Sequence, residues 1–146
     1  QAHFAVHRPD HPYHASFRGR DDLAARVLVA IEGDAATGLR SIAERLDAYA
    51  GWLDGAALVV RFEDLIGPAG GGDRDRQRST VEAIYRHLGV DASSAVVDRV
   101  IDHLFSDRSP TFRKGAAGGW RETLDDGVLA RFHEVVGDRM VRYGYA

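Results

Sequence analysis

Apolar positions recur at spacings of three and four along most of the chain, the pattern of amphipathic helices. Asp21 and Asp22 open the run DDLAARVLVAIEG, and acids in front with Gly33 behind frame a helix of about three turns. Leu39, Ile42, Ala43, Leu46, Tyr49, Ala50 and Leu53 share one face of a second helix, expected from about Thr37 to Leu53. A third begins near Asp73, with Val81, Ile84, Tyr85 and Leu88 inward and Gly89 as its stop. Val96, Val97, Val100, Ile101, Leu104 and Phe105 line a fourth. The last is expected to open at Thr123, where Asp126 three residues on gives a capping-box-like start. Leu129, Phe132, Val136, Met140 and Tyr143 line it, and Gly144 ends it.

One stretch breaks this period. AALVVRF, residues 56–62, is short, β-branched in its middle and bounded by Gly55 and the acids Glu63 and Asp64. It predicts a buried strand, with the two acids fronting a helix that follows. A lone strand cannot satisfy its backbone, so its partners are expected elsewhere in a larger α/β sheet. GPAGGGD after it reads as a flexible loop, and residues 1–20, broken by Pro9 and Pro12, as an irregular segment.

Composition narrows the picture. The 146 residues suit a domain with a real core, and 45% hydrophobic with 28% charged residues is a globular profile. A net charge of −3 argues against a broad nucleic-acid or anionic-membrane surface while allowing a local anion site. There is no cysteine, so disulfides and thiolate metal sites are excluded. No apolar run approaches the roughly 20 residues of a membrane span, and the polar start QAHFAVHRPDHPYH does not read as a signal peptide. A cytoplasmic setting is the resulting expectation. His3, His7 and His11 are four apart, but Pro9 prevents the continuous helix that would make them a metal face.

SPTFRKGAAGGWRETL, residues 109–124, is the stretch with candidate chemistry. Glycines let backbone amides converge on one point and let a ligand approach closely. A guanidinium beside such a nest matches a phosphate bidentately. Arg113, Lys114 and Gly115, with Gly118 and Gly119 behind them, could form a phosphate clamp, with Trp120 fixing the loop against the core. A surface loop with a solvated Arg–Lys pair is the other reading that local chemistry leaves open.

LVVRFEDL followed at a distance by FRKGAAGGWRETL resembles the sulfotransferases that use 3′-phosphoadenosine 5′-phosphosulfate. The landmarks are a strand ending in Glu-Asp-Leu and an Arg-Lys-Gly-x-x-Gly-x-Trp loop ahead of a terminal helix. GLRSIAERLDAYAGWLD and the ending RYGYA also resemble bacterial members, so the likeness covers the chain from about residue 20 onward. It implies the C-terminal part of a P-loop-type three-layer α/β/α fold, mostly helical here with one buried strand near 57–62. It implies transfer of a sulfuryl group to a hydroxyl or amine on a small-molecule, glycan or lipid acceptor, without a metal.

The resemblance also implies roles. Arg113 would clamp the nucleotide's 3′-phosphate, Lys114 and Gly115 would offer backbone donors, and Thr111 and Phe112 would lie just before them. Phe62 stands where the family has a tyrosine near the nucleotide. Phe105 is the candidate for stacking on adenine, although its helical register favours a core residue at the end of an amphipathic helix. The family's lysine-bearing phosphosulfate loop, its histidine base and its Arg-Asp-Pro-Arg-Asp stretch have no counterpart in these residues. The expectation is therefore a partial domain over 1–146, supplying the 3′-phosphate half of the site and inactive alone. A non-catalytic helical nucleotide-binding or interaction module is the alternative.

Overall fold

The computed structural model describes residues 2–106 and 115–145. In chain order its helices are α1 (Ala2–His7), α2 (His14–Phe17), α3 (Leu23–Glu32), α4 (Ile42–Tyr49), α5 (Phe62–Leu65), α6 (Arg74–His87), α7 (Ser94–Leu104), α8 (Asp126–Val136) and α9 (Arg139–Arg142). Three 3-10 turns, Ala50–Asp54, Pro68–Gly70 and Gly119–Glu122, lie between them. Among the described residues there is no strand; the one β feature is an isolated antiparallel bridge between Asp34 and Leu39. A three-layer α/β/α architecture with a buried strand is thereby overturned.

The failed strand has a physical reason. Residues 57–61 carry no ladder, and Arg61, just before α5, has an extended backbone. Leu58 and Val59 are exposed, Val59 by 53%. The β-branched run has the local propensity of a strand, but no described segment offers it an edge. At Phe62 the backbone turns helical, and Glu63 and Asp64 fall in the first turn of α5, where a helix favours acids.

The chain divides into two compact units, Gln1–Ala56 together with Thr123–Ala146, and Ala57–Glu122. In the first, Ala5, Phe17, Val29 and Leu39 form a buried cluster, with Val6, Tyr13 and Ala30 against it. Residues 1–20, expected to be irregular, hold two short helices, with Pro9 and Pro12 between them, and Phe17 only 1% exposed. Asp22 caps α3 by accepting from the Ala25 amide at 2.6 Å, and Gly33 ends it with φ +81°. A Cβ on Gly33 would lie 2.6 Å from the Leu39 carbonyl oxygen, so the close return of the chain here needs glycine.

The second helix is shorter than its apolar face suggested. It starts at Ile42, behind a capping box in which Ser41 Oγ accepts from the Glu44 amide at 3.1 Å and the Glu44 carboxylate accepts from the Ser41 amide at 2.7 Å. The closing helix is two: Asp125 caps α8 through the Val128 amide at 2.9 Å, and the chain breaks at Gly137 before α9. Ion pairs join the early and late parts of this unit. Arg139 forks onto Asp47 at 2.7 and 2.8 Å, Arg131 meets Glu32 at 2.6 Å, and Arg142 meets Asp54 at 2.6 Å.

In the second unit Val81, Val97 and Ile101 form the core, with Leu65, Tyr85, Ala92 and Val100 packed around it. The α6–α7 pair thus buries part of the faces their periodicity marked, but Leu88, beyond the end of α6, is 65% exposed, and Val96 and Leu104 on α7 are exposed as well. Arg78 bridges the two helices to Asp98, and Arg74 reaches Asp102 at 3.0 Å. Gln77, 2% exposed, donates through Nε2 to the Leu65 carbonyl at 2.8 Å and so ties α5 to α6.

Candidate functional site

Three of the seven sequence-predicted binding residues come together in the second unit. Phe62, Phe105 and Gly115 line one cavity of about 190 Å³, completed by Leu65, Ile66, Leu104 and Ser106. Thr111, Phe112, Arg113 and Lys114 lie outside the described residues.

Each of the three positions has a local cause. Phe62 is the first residue of α5, and its ring is 53% exposed rather than buried in a sheet. Phe105 stops α7 in an extended conformation, φ −89° and ψ 120°, which moves it off the helix register that made it a core candidate. Gly115 is left-handed, φ +57°, a conformation that favours glycine.

The wall behind Gly115 comes from the stretch expected to be a flexible loop. Residues 68–70 instead form a 3-10 turn, and the Ala117 amide donates to the Gly70 carbonyl at 3.0 Å. A Cβ on Gly70 would stand 2.6 Å from the Gly115 carbonyl oxygen. The two glycine-rich stretches therefore touch backbone to backbone, a contact that side chains would prevent. Pro-Ala-Gly-Gly-Gly was the signal for this, and turn propensity alone does not reveal that two turns meet.

Trp120 does not lock the bend into a core. It is 46% exposed, and the Arg121 guanidinium lies 4.4 Å from its ring centre, a cation–π contact. Two of the N-terminal histidines have backbone partners of their own: His14 Nδ1 lies 2.7 Å from the Ala5 carbonyl, and His11 Nδ1 accepts from the Tyr13 amide at 3.2 Å. Among the described residues no group of three His, Asp or Glu side chains is placed to hold a metal.

The cavity is apolar, with two aromatic rings and a glycine backbone at its rim. At about 190 Å³ it is smaller than the roughly 300–1,000 Å³ of sites that enclose a drug-sized ligand, and it offers room for one ring system. Such a site can stack a planar base; among the described lining residues the only side-chain polar group is the Ser106 hydroxyl. Compared with models of protein families, with curated proteins and with solved structures, the chain matches none. Among the described residues, no helix is long and apolar enough to cross a membrane.

Proposed function

We propose that this chain binds an adenine nucleotide carrying a 3′-phosphate, and that it does so as the nucleotide-holding part of a sulfotransferase using 3′-phosphoadenosine 5′-phosphosulfate. The observation that carries the reading is the convergence of Phe62, Phe105 and Gly115 on one base-sized apolar cavity. These residues lie 53 positions apart at their extremes, and the family resemblance assigns all three to this one ligand. Phe105 and Phe62 would hold the base by stacking, worth about 1–3 kcal/mol per base. Arg113, two residues before Gly115, would meet the 3′-phosphate with its guanidinium fork, assisted by main-chain donors of Lys114 and Gly115.

When bound, the donor supplies the sulfuryl group that passes to a hydroxyl or amine on a small-molecule, glycan or lipid acceptor. The residues of this chain bind and orient the nucleotide, and none of them is assigned as the base. A cytoplasmic setting belongs to the same reading, supported by the absence of cysteine.

Calorimetry with adenosine 3′,5′-bisphosphate against adenosine 5′-monophosphate tests the assignment. The bisphosphate is expected to bind at least tenfold more tightly, and Arg113→Ala to remove about 1.5–3 kcal/mol of that affinity, the range for a lost charged hydrogen bond. Equal binding of the two nucleotides would rule out a 3′-phosphate site. A bare nucleotide-binding module would pass this test; sulfuryl transfer to an acceptor mixture, followed with labelled donor, separates the enzyme from the module.

A further inference from the structure

A second cavity lies wholly within the first unit, with Tyr13, Gly38, Arg40, Arg45 and Tyr49 among its lining residues. Its volume, about 410 Å³, falls inside the range of ligand pockets. Besides Tyr13, which stands just before α2, two elements build it. One is the turn from Asp34 to Leu39, closed by paired backbone hydrogen bonds of 2.7 and 3.0 Å, with Gly38 at φ +72°. The other is α4, which carries Arg45 and Tyr49.

The charges on this wall are unbalanced. Arg45 is half-buried, and its Nη2 donates to the Ala30 carbonyl at 2.6 Å and its Nε to the Ser41 carbonyl at 3.4 Å. Both acceptors are neutral. The acids of α4 are engaged: Glu44 closes the capping box, with Arg40 near enough to favour its charged form, and Asp47 holds Arg139. Among the described residues, neither Arg40 nor Arg45 has a carboxylate within ion-pair distance. The hydroxyls of Tyr13 and Tyr49 have no hydrogen-bond partner there either.

A guanidinium partly withdrawn from water without a counter-charge is costly unless a ligand supplies one. The planar fork suits the oxygens of a carboxylate, phosphate or sulfate. The tyrosines add apolar faces for a flat body and hydroxyls at its edge.

We infer that the pocket bounded by Arg40, Arg45, Tyr13 and Tyr49 binds a small aromatic oxyanion, at a site that shares no residue with the nucleotide cavity. Binding of phenyl phosphate to the full chain, measured by calorimetry at low salt, tests this. Phenyl phosphate is expected to bind at least tenfold more tightly than inorganic phosphate and than phenol, and to stay bound under saturating adenosine 3′,5′-bisphosphate. Arg45→Met is expected to abolish binding. Because Arg45 also ties Ala30 to Ser41, Arg40→Gln and Tyr49→Ala, both at exposed positions, are measured beside it; each is expected to weaken phenyl phosphate at least fivefold with the melting transition unchanged. Competition by the bisphosphate would mean a single shared site and would overturn the inference. So would phenyl phosphate binding no better than inorganic phosphate, or full affinity in both Arg40→Gln and Tyr49→Ala.

Discussion

Phe105 shows how a residue leaves one role for another. Helical spacing from Val97 and Ile101 continues to Phe105, and both of those side chains are buried. The helix stops at Leu104, and one extended residue turns the ring to the cavity rim. Phe105→Ala is expected to leave the α6–α7 core intact and to cost about 1–3 kcal/mol of nucleotide affinity, read by calorimetry. A large fall in melting temperature with unchanged affinity would return Phe105 to the core. Gly115→Val acts differently. It forces a β-branched side chain into φ +57°, so it is expected to disturb the backbone of the bend and weaken the nucleotide even though no side-chain contact is lost.

At the scale of elements, what the sequence made legible and what it hid divide along local and non-local physics. Helix faces were legible in part because they follow from spacing: Val81, Val97, Ile101 and Val136 are buried, whereas Tyr49, Val96 and Leu104, on the same predicted faces, are exposed. Some caps were legible, such as Asp22 and Asp73, which accept from amides three residues on. The capping box at Ser41 was passed over because the apolar face seemed to continue back to Leu39, which in fact belongs to the turn before α4. The strand failed because β-propensity is largely a statement about neighbours, and residues 57–61 have none in the described structure. Of the candidate site, the residue types were legible, but the contact of the Gly70 and Gly115 turns was not, since it joins segments 45 residues apart. This predicts opposite stability effects. Val59→Thr is expected to change stability by less than about 0.5 kcal/mol, as for exposed substitutions, whereas Ile101→Ala is expected to cost about 2–5 kcal/mol, both from urea unfolding. A large cost at Val59 would restore a buried role to residues 57–61.

For the molecule as a whole, two units with separate cores make a single two-state unfolding transition an assumption to be checked with more than one probe. Two carboxylates of the first unit tie its stability to pH. Side-chain hydrogen bonds from Arg139 hold the Asp47 carboxyl below the usual carboxylate range, and the amide and hydroxyl of Ser41 do the same for Glu44. A depressed pKa means that the folded state binds fewer protons than the unfolded chain near its titration. The stabilisation is therefore complete above the ordinary carboxylate pKa, about 4, and is lost as pH falls through the lower folded value. Asp47→Asn is expected to flatten this acid limb of the stability curve, with little change of its slope near neutral pH. An unaltered acid limb would mean that the Asp47–Arg139 fork is not populated in solution.

The central claim is that the Phe62–Phe105–Gly115 cavity receives the base of a 3′-phosphorylated adenine nucleotide. An amide chemical-shift titration of the full chain with adenosine 3′,5′-bisphosphate reads this most directly. The account predicts saturable shifts concentrated at Phe62, Leu65, Phe105, Ser106 and Gly115, with the amides of Tyr13, Arg45 and Tyr49 unmoved. Saturable shifts confined to residues of the first unit, or no saturable shift at all, would contradict it.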